Sequence, residues 1–118
     1  MASYSKQLLS GSTNGQPVAV AATAIASGTV VHTAVAGTAA YDEVYLYVSN
    51  TDSVAHQITL GWGGSAAGDL ISVSVTVPAN SGPTPVVTGL VLQNGLEILA
   101  SADVANKLNI SGFLNRIQ

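Results

Sequence analysis

The sequence predicts an all-β protein, an antiparallel sandwich or small barrel of about eight short strands. Its dominant pattern has a period of two, in which apolar and small polar residues alternate, as in strands with one buried face. These runs are rich in β-branched and aromatic residues, which suit a pleated sheet. They recur about every 8–14 residues between turns, a spacing typical of sandwiches and small barrels.

The N-terminal third is predicted to begin with a hairpin. Asn14-Gly15 favours a tight turn, because both residues tolerate positive φ, and it lies between Lys6–Leu9 and Val18–Ala22. The alanine-rich segment Val18–Ala26 is also compatible with a helix by propensity. Its β-branched residues favour extended chain, which we predict here.

The middle of the chain contains two runs with an expected core face. Val44, Leu46 and Val48 are expected to point inward, opposite Tyr45 and Tyr47. The next run places on one face Val54, His56, Ile58, Leu60 and Trp62. Loops are expected at Asn50–Ser53 and Gly61–Gly68.

The clearest alternation lies in the segment 70–78 and predicts a half-buried strand. Its expected inward residues are Ile71, Val73, Val75 and Val77, and its outward residues are Ser72, Ser74 and Thr76. Three prolines then bracket the connection Ala79–Gly82: Pro78, Pro83 and Pro85. They are expected to end the strand, because proline has no N–H to donate to a neighbouring strand.

The C-terminal third contains a second Asn-Gly turn, at residues 94–95. It lies between Val86–Leu92 and Leu96–Ala100, which we therefore predict to be paired neighbours. A single helical turn over Asp103–Lys107 is compatible with the sequence. In the final strand, Leu108, Ile110, Gly112 and Leu114 alternate with Asn109, Ser111, Phe113 and Asn115.

Size and composition limit the domain count and the partners. The 118 residues fit one domain, residues 1–118, in which residues 1–9 could form an N-terminal arm. The absence of cysteine excludes disulfides and cysteine-based zinc sites. With a net charge of −3 and only Lys6, Lys107 and Arg116 as basic side chains, we expect neither nucleic acid nor an anionic membrane as a partner. Polar residues separate Lys6 from the apolar run Val18–Ala26, so we expect no secretory signal.

Charged side chains are scarce, at 8% of the sequence against about 25% in an ordinary soluble domain. The polar strand positions carry short uncharged residues: Gln57, Thr59, Ser72, Ser74, Thr76, Asn109 and Ser111. Lys and Glu normally protect exposed sheet edges, and interface cores are depleted of charge. The composition therefore predicts a subunit packed against neighbours, with a very stable isolated sandwich as the alternative.

No residue pattern indicates an active site. His32 and His56 could hold a metal with Asp42 or Glu43, but no close-spaced ligand motif supports this. A Ser-His-Asp triad would lack the Gly-x-Ser-x-Gly turn, and Asp42 and Glu43 would point to opposite faces of a strand. We expect no catalytic residue, metal site or cofactor.

The stretch Gly61–Ser65 lacks the lysine and the following helix of a phosphate-binding loop, so a tight turn with Trp62 packed at a strand end is expected. The alternative is a carbohydrate platform, in which Trp62 joins Tyr41, Tyr45 and Tyr47. Packing against another subunit would account for the tyrosines equally well.

Five blocks of the sequence resemble small virion proteins of tailed bacteriophages, and together they cover most of the chain. The blocks are Tyr4–Gly15 (YSKQLLSGSTNG), Thr29–Val35 (TVVHTAV), Asp42–Asn50 (DEVYLYVSN), Leu60–Gly64 (LGWGG) and Asn109–Ile117 (NISGFLNRI).

This resemblance implies a non-enzymatic structural protein of the virion, foremost a capsid decoration (cement) protein on the exterior of the head, assembled in the bacterial cytoplasm. It also implies a jelly-roll-like sandwich, a homotrimer, and the major capsid protein as partner, with a tail, connector or fibre-base location as the alternative. The residues expected at contacts are Tyr4 and Lys6 in the stretch Ala2–Leu9, then Tyr45, Tyr47 and Trp62.

Overall fold

The structure, a computed structural model, describes residues 3–118 as two antiparallel sheets packed face to face. The strands are β1 (Tyr4–Leu8), β2 (Val18–Ala19), β3 (Thr29–Thr33), β4 (Tyr41–Asn50), β5 (His56–Trp62), β6 (Leu70–Val77), β7 (Ser81–Leu92), β8 (Glu97–Ala102) and β9 (Leu108–Ile117). The helical segments within residues 3–118 are two three-residue 3-10 turns, Ile25–Ser27 and Ala67–Asp69, and neither could cross a bilayer. The prediction of an all-β sandwich is confirmed.

The strand order is that of a jelly roll. One sheet has the order β1-β9-β4-β7, with β2 also paired to β9, and the other has the order β3-β8-β5-β6. Along the chain these pairs are nested: β5 pairs with β6, β4 with β7, β3 with β8, and β1 and β2 with β9. These nested pairs form one long folded ribbon. When the ribbon wraps so that β4 also pairs with β9 and β5 with β8, it forms the jelly-roll sandwich.

The core between the sheets is aliphatic. Its largest fully buried apolar side chains are Leu46, Ile58, Leu60, Ile98, Leu108, Ile110 and Leu114. Each is worth about 1.5–3 kcal/mol when fully removed from water. The period-two pattern predicted the inward residues of β4 and most of those of β5 and β9, because these strands lie inside the sheets and have one face on the core.

Both Asn-Gly turns form, but the strands on either side of each turn do not pair with one another. At Asn14-Gly15 both φ angles are positive, and the Gln16 N–H donates to the Thr13 carbonyl over 2.9 Å. The flanking strands β1 and β2 nevertheless both pair with β9. The Asn94-Gly95 turn likewise joins β7 to β8 across the two sheets. The predicted hairpins are therefore wrong, because the long-range partner β9 and the wrapping of the ribbon outweigh local proximity.

The predicted inward face of β6 is also wrong. Ile71, Val73 and Val75 are 41%, 63% and 45% exposed, and Val77 alone is buried. β6 is an edge strand, and its register with β5 shifts twice, where Ser74 adopts a φ of +49°. Such bulges turn side chains away from the core and end the regular alternation.

Smaller differences arise at the ends of elements. The segment Val18–Ala26 is extended for only two residues before the 3-10 turn at Ile25–Ser27, and Asp103–Lys107 forms turns without a helix. Val54 lies outside β5 and is exposed, whereas Gly61 and Trp62 belong to β5. β6 ends before Pro78 as predicted, but Pro83 and Pro85 lie inside β7. β7 tolerates them because it is an edge strand.

The N-terminal stretch is part of the sandwich. Residues 4–8 form β1, which pairs with the last strand of the same chain, from Tyr4 opposite Ile117 to Leu8 opposite Phe113. Met1 and Ala2 lie outside the described residues.

Gly112 permits the close approach of β9 to β4, and its replacement tests this packing. It has a φ of +156°, and a Cβ atom there would overlap the carbonyl oxygen of Tyr45. We expect Gly112→Ala to lower the free energy of unfolding by about 3 kcal/mol, from backbone strain and overpacking together.

The matched control is Gly68→Ala, because a Cβ at Gly68 meets no atom within 4 Å. Urea denaturation of both variants measures the difference. Equal stabilities would contradict the close approach of β9 to β4.

Candidate functional site: an aromatic outer face

Aromatic residues gather on the outer face of the five-stranded sheet. The sequence holds six aromatic residues, four Tyr, one Phe and one Trp. Strand alternation and register place five of them on this face, which we call the aromatic face: Tyr4, Tyr41, Tyr45, Tyr47 and Phe113. The core holds none of these rings, so they are not needed to fill the space between the sheets.

The centre of the aromatic face is a stack of three side chains from three strands. The Tyr45 ring lies on the Phe113 ring, with centroids 4.9 Å apart and planes 13° from parallel. From β1, the Lys6 ammonium lies 4.4 Å from the Phe113 ring centroid. Offset stacking and cation–π attraction each stabilise such contacts by about 0.5–1.5 kcal/mol. The stack therefore holds the rings in place before any partner binds.

Glu43 fixes the neighbouring polar groups. The Tyr45 hydroxyl donates to a Glu43 carboxylate oxygen over 3.2 Å, and the Asn115 amide donates to the same oxygen over 3.3 Å. The hydrogen bond to Glu43 raises the pKa of Tyr45 above its ordinary value, so this hydroxyl stays a donor. From the sequence, Tyr45, Tyr47, Tyr4 and Lys6 were expected to lie at contacts with a partner. Phe113, which contacts Tyr45 and Lys6, was not among them, although the alternation of the last strand placed it opposite the inward residues.

Exposure increases towards one end of the aromatic face. Tyr4 is 73% exposed and Tyr41 is 38% exposed, whereas Tyr45 and Tyr47 are half-buried by their neighbours. The register sets Tyr4 and Tyr41 on either side of Ile117. Large, rigid rings with a polar tip are the side chains that most often anchor protein interfaces.

Trp62 is not part of the aromatic face. It lies at the end of β5, packs against the core, and donates its indole N–H to the Val91 carbonyl of β7 over 3.0 Å. Trp62 packs at the end of its strand, as predicted, and it also links the two sheets, which the sequence did not predict. The structure does not bring it together with the tyrosines, which point out from the other sheet, so the single carbohydrate platform does not form.

One charged cluster is buried at the end of the sandwich. Asp42 is fully buried and accepts from Arg116 through both carboxylate oxygens, over 2.8 and 3.1 Å. The same carboxylate accepts from His32 Nε2 over 2.8 Å and from the Val35 N–H over 3.0 Å. Burial acts to raise the pKa of Asp42, but the hydrogen bonds from Arg116, His32 and Val35 outweigh it and lower the pKa.

His32 has a structural role in this cluster. Its Nδ1 accepts the Ser10 N–H over 2.9 Å, so Nε2 carries the proton that it donates to Asp42. The sequence offered His32 and His56, with Asp42 or Glu43, as candidate metal ligands, and the structure places His32 and Asp42 in contact. Both ring nitrogens, however, are occupied by these hydrogen bonds.

His56 lies at the opposite end of its strand from Trp62, between two carboxylates. Its Nε2 is 2.7 Å from Asp52, and its Nδ1 is 3.3 Å from Asp103. The hydrogen bond to Asp52, with the weaker one to Asp103, raises the pKa of His56. Within residues 3–118, no three His, Asp or Glu side chains are arranged to hold a metal ion.

Comparison of the chain with protein-family models, with curated proteins and with solved structures found no match.

Replacing Asp42 tests the buried cluster. Asp42→Asn keeps the side-chain shape but removes the charge that pairs with Arg116, which is 27% exposed at its side chain. Breaking a buried pair is strongly destabilising, and we expect a loss of about 3 kcal/mol. Asp69→Asn is the control, since Asp69 lies on the surface and makes one backbone contact, to the Ala66 N–H over 3.3 Å. Chemical denaturation that shows similar losses for both variants would rule out this role.

His56 makes stability depend on pH in the neutral range. The pKa of His56 is raised in the folded protein above its value of about 6.5 in the unfolded chain. The stabilisation from protonated His56 is therefore complete at pH values below about 6.5 and is lost as the pH rises through the folded pKa. Thermal melting from about pH 5.5 to about pH 8.5 should show a falling midpoint that His56→Gln flattens. An unchanged pH dependence in His56→Gln would be the contrary result.

Proposed function

We propose that this chain is a non-enzymatic structural protein of a tailed-bacteriophage virion, a decoration protein that sits on the exterior of the head and stabilises it. In this role it bridges neighbouring copies of the major capsid protein. The five sequence blocks that resemble phage virion proteins support this proposal, and so does the aromatic face, which is the observation that carries it.

The aromatic face has the chemistry of a protein-binding surface. A sandwich normally gains stability by burying its aromatic rings, yet here an aliphatic core leaves five of six rings outside. The central rings are held by stacking and by Lys6, so little side-chain entropy is lost when a partner covers them. Tyrosine at such positions supplies apolar area together with a hydroxyl that can hydrogen-bond across an interface.

A protein that touches two capsid subunits opposes their separation directly. The shell of a filled head is under outward pressure, and its subunits part where they meet. Area buried across that junction must be exposed again before the subunits separate, at about 25 cal/mol for each Å² of apolar surface. Several linked copies strengthen the effect, because a released copy rebinds at high local concentration.

Self-association as a homotrimer is part of the proposal. Exposed apolar residues at the edges of the two sheets support self-association. We call these residues the flank: Ile71, Val73, Val75, Leu90 and Val91, each at least 41% exposed. Strands β6 and β7 contain no charged residue, so two copies of a chain with net charge −3 could meet there without opposing like charges. We expect a mass in light scattering of three times the chain mass of 11.8 kDa.

Cryo-electron microscopy of purified particles tests the location. We expect density for the sandwich on the head surface, over the junctions between capsid subunits, with the aromatic face toward the shell. Density at the tail, connector or fibre base would support the alternative location instead. Absence of the protein from purified particles would overturn the proposal.

Binding to heads that lack the protein tests the surface. We expect Tyr41→Ser and Tyr47→Ser each to weaken binding about tenfold or more, the usual effect of removing an interface anchor. Val54→Ser is the matched control, since Val54 is 59% exposed but lies outside the strands of the aromatic face. Circular dichroism confirms that each variant is folded, and equal binding by all three would exclude the aromatic face.

A further inference from the structure

A small polar cavity lies on the outer side of the other sheet. Its volume is about 120 Å³, and it is lined by Ala102 and by six polar residues, which we call the hydroxyl cleft: Thr23, Gln57, Thr59, Ser74, Ser101 and Asp103. Strands β5 and β8 form its floor. The connection between β2 and β3 forms one wall, and the bulge in β6 forms the other.

The walls of the hydroxyl cleft are fixed by backbone contacts. The Ala102 N–H donates to the Ala22 carbonyl over 3.0 Å and holds the wall that carries Thr23. On the other side, the Ser74 N–H donates to the Thr59 hydroxyl over 3.0 Å, where Ser74 has a φ of +49°. A non-glycine residue in this conformation is strained, and strain of this kind clusters at functional sites. The cleft is therefore held open by the fold.

Hydrogen-bonding capacity in the cleft is left unused. Ser101 is 6% exposed, its hydroxyl lines the cleft, and it makes no hydrogen bond to another group of residues 3–118. This hydroxyl is not among the buried side-chain atoms that lack a partner, so it reaches the open space of the cleft, where a ligand hydroxyl could replace water as its partner. The Thr59 hydroxyl accepts from Ser74 and keeps its own proton free to donate.

Hydrogen bonds from neighbouring residues fix the orientation of the Asp103 carboxylate. One oxygen accepts the Gln57 N–H over 3.0 Å, and the group also contacts His56 at 3.3 Å. The hydrogen bond from Gln57 lowers the pKa of Asp103, so the group is an ionised acceptor at neutral pH. A carboxylate beside hydroxyls and a carboxamide accepts strongly from ligand hydroxyls.

We propose that the hydroxyl cleft binds a single neutral sugar ring, as a terminal or branch residue of a glycan. Each sugar hydroxyl is both donor and acceptor, as this lining requires. The lining holds no Lys or Arg that would attract a phosphate or a carboxylate, and it has little apolar surface for a lipid.

The size of the cleft agrees with this ligand. A closed cavity of about 150 Å³ takes a benzene ring, so an open cleft of about 120 Å³ takes only one edge of the larger sugar ring, with its hydroxyls, and leaves the rest in water. The site is separate from the aromatic face, because the two lie on the outer sides of opposite sheets. Sugar binding therefore does not depend on the proposed role in the virion.

Amide chemical shifts of the isolated protein test the proposal. The probes are the methyl glycosides of glucose, galactose, mannose, rhamnose and N-acetylglucosamine, each titrated into ¹⁵N-labelled protein. We expect at least one to cause saturable shifts confined to the amides around residues 57–59, 74 and 101–103, with a dissociation constant in the millimolar range. Shifts that are absent, that never saturate, or that spread over the surface would overturn the proposal.

Two variants connect the binding to the cleft. Ser101→Val removes a hydroxyl that lines the cleft and fills its floor, and we expect at least tenfold weaker binding. Ser74→Gly removes a wall hydroxyl but suits the positive φ, so it keeps the fold even if Ser101→Val does not, and it should also weaken binding. Ser111→Val, the same kind of change on β9 beside Tyr47, is the control and should bind as the wild type does. Unchanged affinity in Ser74→Gly and Ser101→Val would place the sugar elsewhere.

Discussion

The fold depends on one buried charge, Asp42. Few residues in the chain are charged, and this carboxylate is completely removed from water. Its oxygens must therefore accept hydrogen bonds from other groups of the protein. Arg116 donates to it from the last strand, where it is also the register partner of Asp42, and His32 donates to it from the opposite sheet. Val35 adds a backbone N–H. A wrong register of β4 and β9 would leave the charge unpaired, so the cluster specifies the arrangement of the sheets.

Around that cluster, the sandwich separates two kinds of apolar residue. Aliphatic side chains fill the space between the sheets, where they interlock at high density. Aromatic rings lie outside, stacked on each other and on Lys6. This division leaves the two outer faces with different chemistry. The aromatic face is suited to a protein surface, whereas the hydroxyl cleft on the opposite sheet is suited to a small polar ligand.

The nested topology explains where unprotected surface occurs. Wrapping a folded ribbon into two sheets leaves β6 and β7 as free edges on one side. β7 is guarded by Pro83 and Pro85, and β6 is made irregular by its bulges. The same bulges bring Ser74 to the hydroxyl cleft and turn Val73 outward. The bulges of β6 thus shape both the flank and the cleft.

The sequence by itself determined the fold class, the inward residues of β4, most of those of β5 and β9, and the sites of both Asn-Gly turns. These features are local, since alternation reports which side of a strand is apolar and a turn depends on two residues with positive φ. It also identified Tyr45 and Tyr47 as outward rings, and Thr59 and Ser74 as short, uncharged, hydrogen-bonding residues on the polar faces of strands.

The tertiary structure alone decided which strands pair, which face of β6 is covered, and which side chains from distant segments meet. Alternation carries no information about which strands are neighbours in a sheet. It therefore could not predict that β1 and β2 pair with β9 and not with each other. For the same reason the contacts of Asp42 with Arg116 and of Lys6 with Phe113 could not be derived from spacing. They exist because wrapping brings the two ends of the chain together beside β4, and that closure is a property of the whole ribbon.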